Sequence, residues 1–457
     1  MFCSQAAGPW MGNSMPFGSV DTGDRPSPLS VLHLSCWDNE GGSGRSAYRL
    51  HGGLKQLGVR SRMLVGRKQT LDPDVKVIGG NLLGRLDRLG GGIADRMDLQ
   101  YLFYPSSFLL NRTRWVREAD VIQVFNTHGG YFSHLALIPL SQHRTVVWRL
   151  SDMWAMTGHC AYSYECERWE TGCGSCPHLE EYPRLRMDTS ALLWRVKDWI
   201  YERARLTIVA PSTWMASLVR RSPLLSRFPV YVIPNGLDTE TFRPVPKPLA
   251  RERLGLGPQE RVVLFSAASL LDHRKGGAVL QEAIRQAAAG GLQHVTFLVM
   301  GRNTGAWRAD APFRTVSLGY VGDDEALATA YSAADIFVLP TLAENLPNGI
   351  LESMACGTPV LSFDVGGIAD AVRHMETGYL ACKEEAADLA KGLRVLLDSP
   401  GLCARLSVRC REVAQQEYPL ELQTQRFLTL YRDLVGPGRP PLPSRRAKEY
   451  THHVHAS

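Results

Sequence analysis

The 457-residue sequence predicts an α/β protein of two doubly wound domains in tandem, facing each other across a cleft. Three observations predict it. Short β-branched runs alternate with helical patterns, which implies parallel strands covered on both faces. A stretch crowded with Pro, Asn and Gly then interrupts the alternation, which starts again more cleanly behind it. In the second half each strand ends in a small or polar turn, as doubly wound sheets require.

The elements follow in order. Residues 1–28 lack the basic and apolar regions of a signal peptide and read as a disordered leader. Residues 29–228 are expected to form the first domain, with "SVLHLS", "DVIQVFN", "RTVVWRL" and "LTIVAPS" as buried strands. "SRFPVYVIPNGLDTETFRPVPKP" (226–248) reads as the crossing between domains. The second domain, 229–415, reads as strand "RVVLFSAAS", helix "GGAVLQEAIRQAAAG", strand "HVTFLVMG", helix "DDEALATAYSAAD", strand "IFVLPT", helix "GILESMACG" and strand "TPVLSF". Three helices follow. The last, 416–436, is expected to pack back on the first domain, and the Pro-rich tail 437–457 to be disordered.

Formal net charge is +6, unevenly spread. Residues 29–228 carry 26 basic against 18 acidic side chains, and 229–436 carry 20 against 24. The basic charges are scattered and no nucleic-acid motif accompanies them. They suit an anionic membrane surface or a phosphorylated substrate, or are a solvated surface. No apolar run reaches the ~18 residues of a membrane span. Ten cysteines without a secretion signal point to a reducing compartment, hence to thiols or metal ligands before disulfides.

"CWDNEGGSGRSAYRLHGGLKQLG" (36–58) ends a strand in a glycine turn and opens a helix with the apolar stripe Ala47, Leu50, Leu54 and Leu57. Gly41, Gly42 and Gly44 would let the backbone approach an anionic ligand at the helix start. "ENLPNGILE" (344–352) places Glu344 in the loop after a strand and Glu352 one to two turns into a helix that starts near Pro347. A ligand spanning loop and helix start would touch both carboxylates, and a vicinal diol suits such an acceptor. The alternative is ordinary pairing of acids with a helix dipole.

The E-x7-E spacing followed by "SMACGTPVLSFDVGGIADAVRHMETGYL" resembles the donor region of family 4 glycosyltransferases, retaining enzymes of the GT-B fold. "VYVIPNGLDTETFRP", "RKGG" (274–277) and the glycine turn resemble further segments of that family. The resemblance implies that Glu352 holds the nucleotide ribose and Glu344 contacts the transferred sugar. Lys275 with Arg274 would neutralise the diphosphate, and the loop containing Asn345, Leu346 and Asn348 would bind the donor through its backbone. Where many members carry an arginine shortly before the lysine, this chain reads "SAASLLDHRKGG". Where related enzymes place a histidine before an aspartate, it has Ser151 before Asp152, which shifts weight to His128 and Asp152 as first-domain catalytic candidates.

"GHCAYSYECERWETGCGSCPHL" (158–179) is similar to the cysteine-rich insertion of colanic-acid-type exopolysaccharide glycosyltransferases. Cys160, Cys166, Cys173 and Cys176 suit a closed four-thiolate zinc site, preferred here over disulfides and free thiols. A closed site leaves no open position, so zinc there would be structural.

The implied activity is retaining transfer from a nucleotide-diphosphate sugar to a saccharide acceptor, lipid-linked at the inner face of the cytoplasmic membrane, in exopolysaccharide or other cell-surface glycan synthesis. No Asp-x-Asp motif stands near the donor site, so catalysis without a metal is expected. The aromatic segment 101–115 reads as a buried helix, with membrane contact as its alternative. Rival readings are a nucleotide-sugar epimerase of the same fold and a catalytically silent nucleotide-sugar-binding partner.

Overall fold

The computed structural model describes residues 28–309 and 313–436; the expected leader through residue 27 and the tail from 437 lie outside them. The first sheet comprises β1 (Ser30–Trp37), β2 (Arg60–Arg67), β3 (Val75–Val77), β4 (Val121–Val124), β5 (Thr145–Arg149), β6 (Leu206–Ala210) and β7 (Val230–Val232). Its order is β3-β2-β1-β4-β5-β6-β7, and every pairing is parallel. The second sheet comprises β8 (Arg261–Ser269), β9 (Val295–Arg302), β10 (Arg314–Gly319), β11 (Ile336–Leu339), β12 (Val360–Phe363) and β13 (Gly378–Ala381). It runs β10-β9-β8-β11-β12-β13, again parallel throughout.

Both sheets reverse their strand order once, between β1 and β4 and between β8 and β11. Such switch points open a crevice beyond the carboxyl ends of the strands. The helix α1 (Gly41–Gln56) starts behind β1. The loops 270–276 and 340–347 leave β8 and β11. Both crevices therefore face one cleft.

Each domain has its own apolar core. Val263, Phe265, Phe297, Val338, Ile350 and Leu361 anchor the second. In the first, Leu34, Val124, Trp148 and Ile208 cover one side of the sheet. The other side holds Leu50, Leu54 and Val65 together with Phe427 and Tyr431 of the C-terminal helix Leu420–Val435. Tyr431 donates its hydroxyl to Gln123 at 2.8 Å, and Gly53 of α1 abuts Thr424 so closely that a side chain there would collide. The last helix thus completes the core of the first domain.

Several expectations need correction. The boundary at 228/229 falls too early, because β7 pairs with β6 and keeps 230–232 in the first sheet. Strands β3, β7 and β10 escape a search for apolar runs because they lie at sheet edges, with most side chains partly or fully exposed. Leu57 caps α1 and is exposed, so it is not part of the buried stripe. Segment 101–115 is no single buried helix: it breaks into short turns at Pro105–Phe108, Leu110–Arg112 and from Arg114, with Phe103 and Phe108 exposed.

Candidate active site

The second-domain wall of the cleft is built by two glycine contacts. Gly276 has φ +70°, and a Cβ there would lie 1.7 Å from the carbonyl oxygen of Pro340. Only glycine allows that approach, and it seats Arg274 and Lys275 beside the end of β11. Gly366 has φ +60°, with its Cβ position 1.7 Å from the carbonyl oxygen of Glu344, which fixes the acidic loop from the other side.

Three charges meet there. Glu344 Oε2 accepts from Arg274 Nη1 at 2.9 Å and from Lys275 Nζ at 2.6 Å. Its other oxygen accepts from the Tyr162 hydroxyl at 3.0 Å, which reaches over from the first domain. Burial alone would raise the Glu344 carboxyl, but Lys275 and Arg274 override it and hold it well below the ordinary glutamate range. Arg274 shows the converse: burial disfavours its charge, while Glu344, Tyr162 and Asp272 more than restore it.

Glu352 lies one turn into the helix Asn348–Ala355, which Pro347 precedes in extended conformation. It is buried and accepts from Arg49 Nη2 of α1 at 2.9 Å, while the Tyr331 hydroxyl approaches its second oxygen at 3.4 Å. Arg49 also reaches Asp324 at 3.4 Å, beside Arg45 at 3.1 Å. The carboxylate expected to hold a diol therefore has a cationic partner from the first domain.

The first-domain wall divides the expected glycines. Gly41 and Gly42 line the cleft, a cavity of about 790 Å³. Gly44 does not. Its Cβ position lies 3.2 Å from Trp37, so it serves the packing of α1 on the end of β1. Leu346 reaches the cavity but is otherwise buried. Asn345 and Asn348 also line it, yet their side chains tie the domains together. Asn345 Nδ2 donates to the carbonyls of Leu150 and Ser151 at 3.3 and 3.2 Å. Its Oδ1 accepts from Ser212 at 2.6 Å. Asn348 donates to the Gly42 carbonyl at 3.1 Å and accepts from Asn235 at 2.9 Å.

His128 and Asp152 stand together, Nε2 to Oδ2 at 2.8 Å, on the first-domain side of the same cavity. The other imidazole nitrogen lies 3.4 Å from the Tyr182 hydroxyl, and the ring packs against Trp154 with centroids 5.6 Å apart. Sequence reasoning missed Tyr162, Arg45, Arg49, Asn235 and Tyr331. The tyrosine sits two residues after Cys160, inside the stretch singled out for its cysteines. Arg45 and Arg49 share one face of α1 at i, i+4, a spacing that the sequence shows but that ordinary surface arginines share.

The four cysteines of the insertion surround one small void of about 20 Å³, together with His159. A space of that size suits one ion or water and no organic ligand. Cys173 Sγ accepts from the Gly158 amide at 3.2 Å, and His159 Nε2 lies 3.3 Å from Cys176 Sγ. Burial pushes the Cys160 thiol to about 12 and that of Cys173 to about 11. No disulfide joins any of the four. Among the described residues no three His, Cys, Asp or Glu side chains stand in ready-made metal-binding positions, so an ion here would have to draw the sulfurs inward. The donor types fit zinc; their spacing does not yet.

Two family models match this chain. One, described as Glycosyltransferase Family 4, spans residues 40–241; the other, Glycosyl transferases group 1, spans 260–399. Between them they cover both walls of the cleft and most of the chain. The chain belongs to the family 4 glycosyltransferases.

Among its relatives, D-inositol 3-phosphate glycosyltransferase 1 of Catenulispora acidiphila is 31% identical over 227 residues, 46% of this chain and 54% of its own. WcaC of Escherichia coli, assigned to colanic acid biosynthesis as a glycosyl transferase, is 29% identical over 257 residues, 54% of this chain and 58% of its own. The chain thus spans little more than half the length of these relatives. Solved structures share the fold. Sucrose-phosphate synthase of Thermosynechococcus elongatus superposes with a TM-score of 0.63 at 21% identity, covering 89% of this glycosyltransferase and 99% of that chain. Anabaena HepE in complex with UDP-glucose superposes at 0.61 with 19% identity, covering 88% and 98%. The architecture is GT-B, two Rossmann-like domains about a cleft. No helix among the described residues is long and apolar enough to cross a membrane.

Proposed function

We propose that this protein transfers a hexosyl unit from a nucleoside-diphosphate sugar to a saccharide acceptor with retention of configuration. The observation that carries this reading is the triad of Glu344, Arg274 and Lys275 at the switch point of the second sheet, with Glu352 eight residues further on. Two adjacent cations closed on one carboxylate form a preformed diphosphate site. When the diphosphate arrives, its oxygens replace Glu344 as partner of Lys275 and Arg274, and the carboxylate is released towards the hydroxyls of the sugar. The cations then stabilise the charge that grows on the leaving phosphate. Glu352 takes the ribose diol as Arg49 withdraws. HepE, solved with UDP and with UDP-glucose, supports a nucleotide-sugar donor for this fold. The epimerase alternative finds no support among the relatives.

On the opposite wall, His128 and Asp152 meet the acceptor. With retention, the departing phosphate itself takes the acceptor proton on the same face of the sugar, so the protein positions the two reactants and keeps water out. The acceptor is a lipid-linked saccharide at the cytoplasmic face of the membrane, in exopolysaccharide or cell-surface glycan assembly, a reading that WcaC supports. The donor types of the cysteine cluster suit a structural zinc ion, which would draw the four sulfurs together and hold the loop that carries Tyr162. A thermal-shift screen with UDP-, GDP- and ADP-sugars tests the donor. Nucleotide release with an acceptor, and the anomeric configuration of the product by NMR, test transfer and retention. Stabilisation by none of the sugar nucleotides would overturn the reading.

A further inference from the structure

The helix α2 (Gly80–Arg96) is turned inside out relative to an ordinary surface helix. Leu82, Leu86, Leu89 and Ile93 follow one another at steps of four, three and four residues, and Met97 continues the line at the C-cap. That spacing puts them on one face. The face is exposed: Leu82 by 73% and Leu89 by 64%, with Leu86, Ile93 and Met97 about half open. The face that meets the protein is made of small or polar residues instead. Gly91 and Ala94 are buried, and so is Asp87, which accepts from the Ser106 amide at 2.9 Å. Gly90 and Gly91 permit the close seat. A Cβ at either would lie 2.6 Å from the Phe103 carbonyl oxygen or 2.7 Å from the Tyr104 hydroxyl. Isolated exposed leucines are ordinary, but a whole helical stripe of them marks an interaction surface.

Charge decides which partner it fits. Arg85, Arg88 and Arg96 are all exposed; by helical periodicity Arg85 and Arg96 edge one flank of the stripe, whereas Arg88 lies further round, near Asp95. Asp95, the exposed acid, projects from the far side of the helix, and Phe103 and Phe108 add exposed aromatic area from the segment packed beside α2. An apolar stripe edged by arginine is what an interfacial helix presents to a bilayer with anionic headgroups. We propose that α2 is a membrane-docking helix that lies in the headgroup plane of an anionic bilayer. The excess of 26 basic over 18 acidic residues in 29–228 supports the approach electrostatically.

The placement relative to the cleft gives docking a purpose. Tyr101, in the segment that follows α2, packs on His128 with centroids 6.5 Å apart and on Trp154 at 5.6 Å. The docked helix therefore sits next to the first-domain side of the cleft, where a lipid-linked acceptor would enter. This deepens the acceptor reading above and can fail separately from the donor reading.

The test uses the full chain and sedimentation with vesicles of phosphatidylcholine alone or of an equimolar mixture with phosphatidylglycerol. The parent should bind the anionic vesicles far better, and salt should weaken that binding. Leu86→Ser and Leu89→Ser should each weaken it about tenfold. Replacing Arg85 and Arg96 together by Gln should weaken it about thirtyfold. All variants should keep the thermal stabilisation given by nucleoside diphosphate, which shows that they are folded and that the donor site is intact. Binding that is equal for parent and variants, or for both vesicle types, overturns the proposal. So does an absence of vesicle binding together with a parent dimer in solution that the leucine variants dissociate, since the stripe would then cover a second copy of this chain.

Discussion

The two walls of the cleft are assembled in different ways. On the second-domain wall Arg274, Lys275, Glu344 and Glu352 come from two short stretches, 272–276 and 344–352, each leaving a strand at the switch point and each pinned by a glycine against neighbouring backbone. The first-domain wall gathers Gly42, Arg45, His128, Asp152, Tyr162 and Tyr182 from segments far apart in the chain. A site made of contiguous motifs can bind the same ligand part in any relative. A site gathered from scattered loops can change its partner one loop at a time. The comparison teaches that donor chemistry should be robust in the second domain, whereas acceptor choice depends on how the insertion and α1 are held.

The largest effect expected of this arrangement is at Glu344. Glu344→Gln leaves the partly buried Arg274 and Lys275 without their shared anion, at a cost below the ~3–5 kcal/mol of breaking a fully buried pair from one side. Melting without ligand should show that loss, and nucleoside diphosphate should restore most of it by supplying new anionic partners. Acid provides a second check. Because the folded-state pKa of Glu344 is depressed, its contribution is present above the ordinary glutamate range and is lost as pH falls towards the depressed value. The parent should therefore lose stability with acid more steeply than the variant. Turnover with intact donor should fall about a hundredfold, because the carboxylate meets the group being transferred. A variant as stable as the parent without ligand would show that the triad is no preformed site.

Glu352→Gln should act on binding instead. Hydrogen bonds to a charged group contribute roughly 1.5–3 kcal/mol, so both donor and free nucleoside diphosphate should bind about 10- to 100-fold more weakly. Glu344→Gln should bind the free nucleotide at least as well as the parent, since in the ligand-free protein Glu344 competes for the same cations. Calorimetric titration of both variants separates the roles. Equal weakening of nucleoside diphosphate by the two substitutions would merge them.

How much of this was legible follows the same division. The fold class, the strands β8, β9, β11 and β12, and the second-domain charges were readable because apolar periodicity and a compact motif lie within single windows of sequence. Edge strands β3, β7 and β10 were not, since a half-exposed strand lacks an apolar run. Arg49 and Tyr162 were not readable either. Their partners, Glu352 and Glu344, lie 303 and 182 residues away, and only the closed cleft brings them together. Gly44 failed for a different reason: a glycine needed to let a ligand approach and one needed to let a strand end approach look alike in sequence.

A smaller effect is expected from the insertion. Protein prepared without chelator should contain about one zinc ion per chain if the four thiolates close around a metal. Its removal should make the first domain more sensitive to proteolysis and lower turnover, because the segment carrying Tyr162 loses its anchor. Binding of nucleoside diphosphate to the second domain should change little. Elemental analysis that finds no metal would remove the zinc reading, and mass spectrometry of alkylated protein would then tell disulfides from free thiols.

The smallest effects separate two glycines only two residues apart in α1. A Cβ at Gly42 meets nothing within 4 Å and projects where the cleft is lined; one at Gly44 meets Trp37 at 3.2 Å. Alanine favours a helix over glycine by up to about 1 kcal/mol. Gly42→Ala should therefore be as stable as the parent or slightly more so, yet bind donor several-fold more weakly, because its methyl takes ligand space. In Gly44→Ala the helical gain is offset by the tight contact, so the melting temperature should shift only slightly downward and donor affinity should stay unchanged. Weaker donor binding in Gly44→Ala with unchanged melting would return Gly44 to the ligand and make the whole glycine turn, rather than its first half, part of the site.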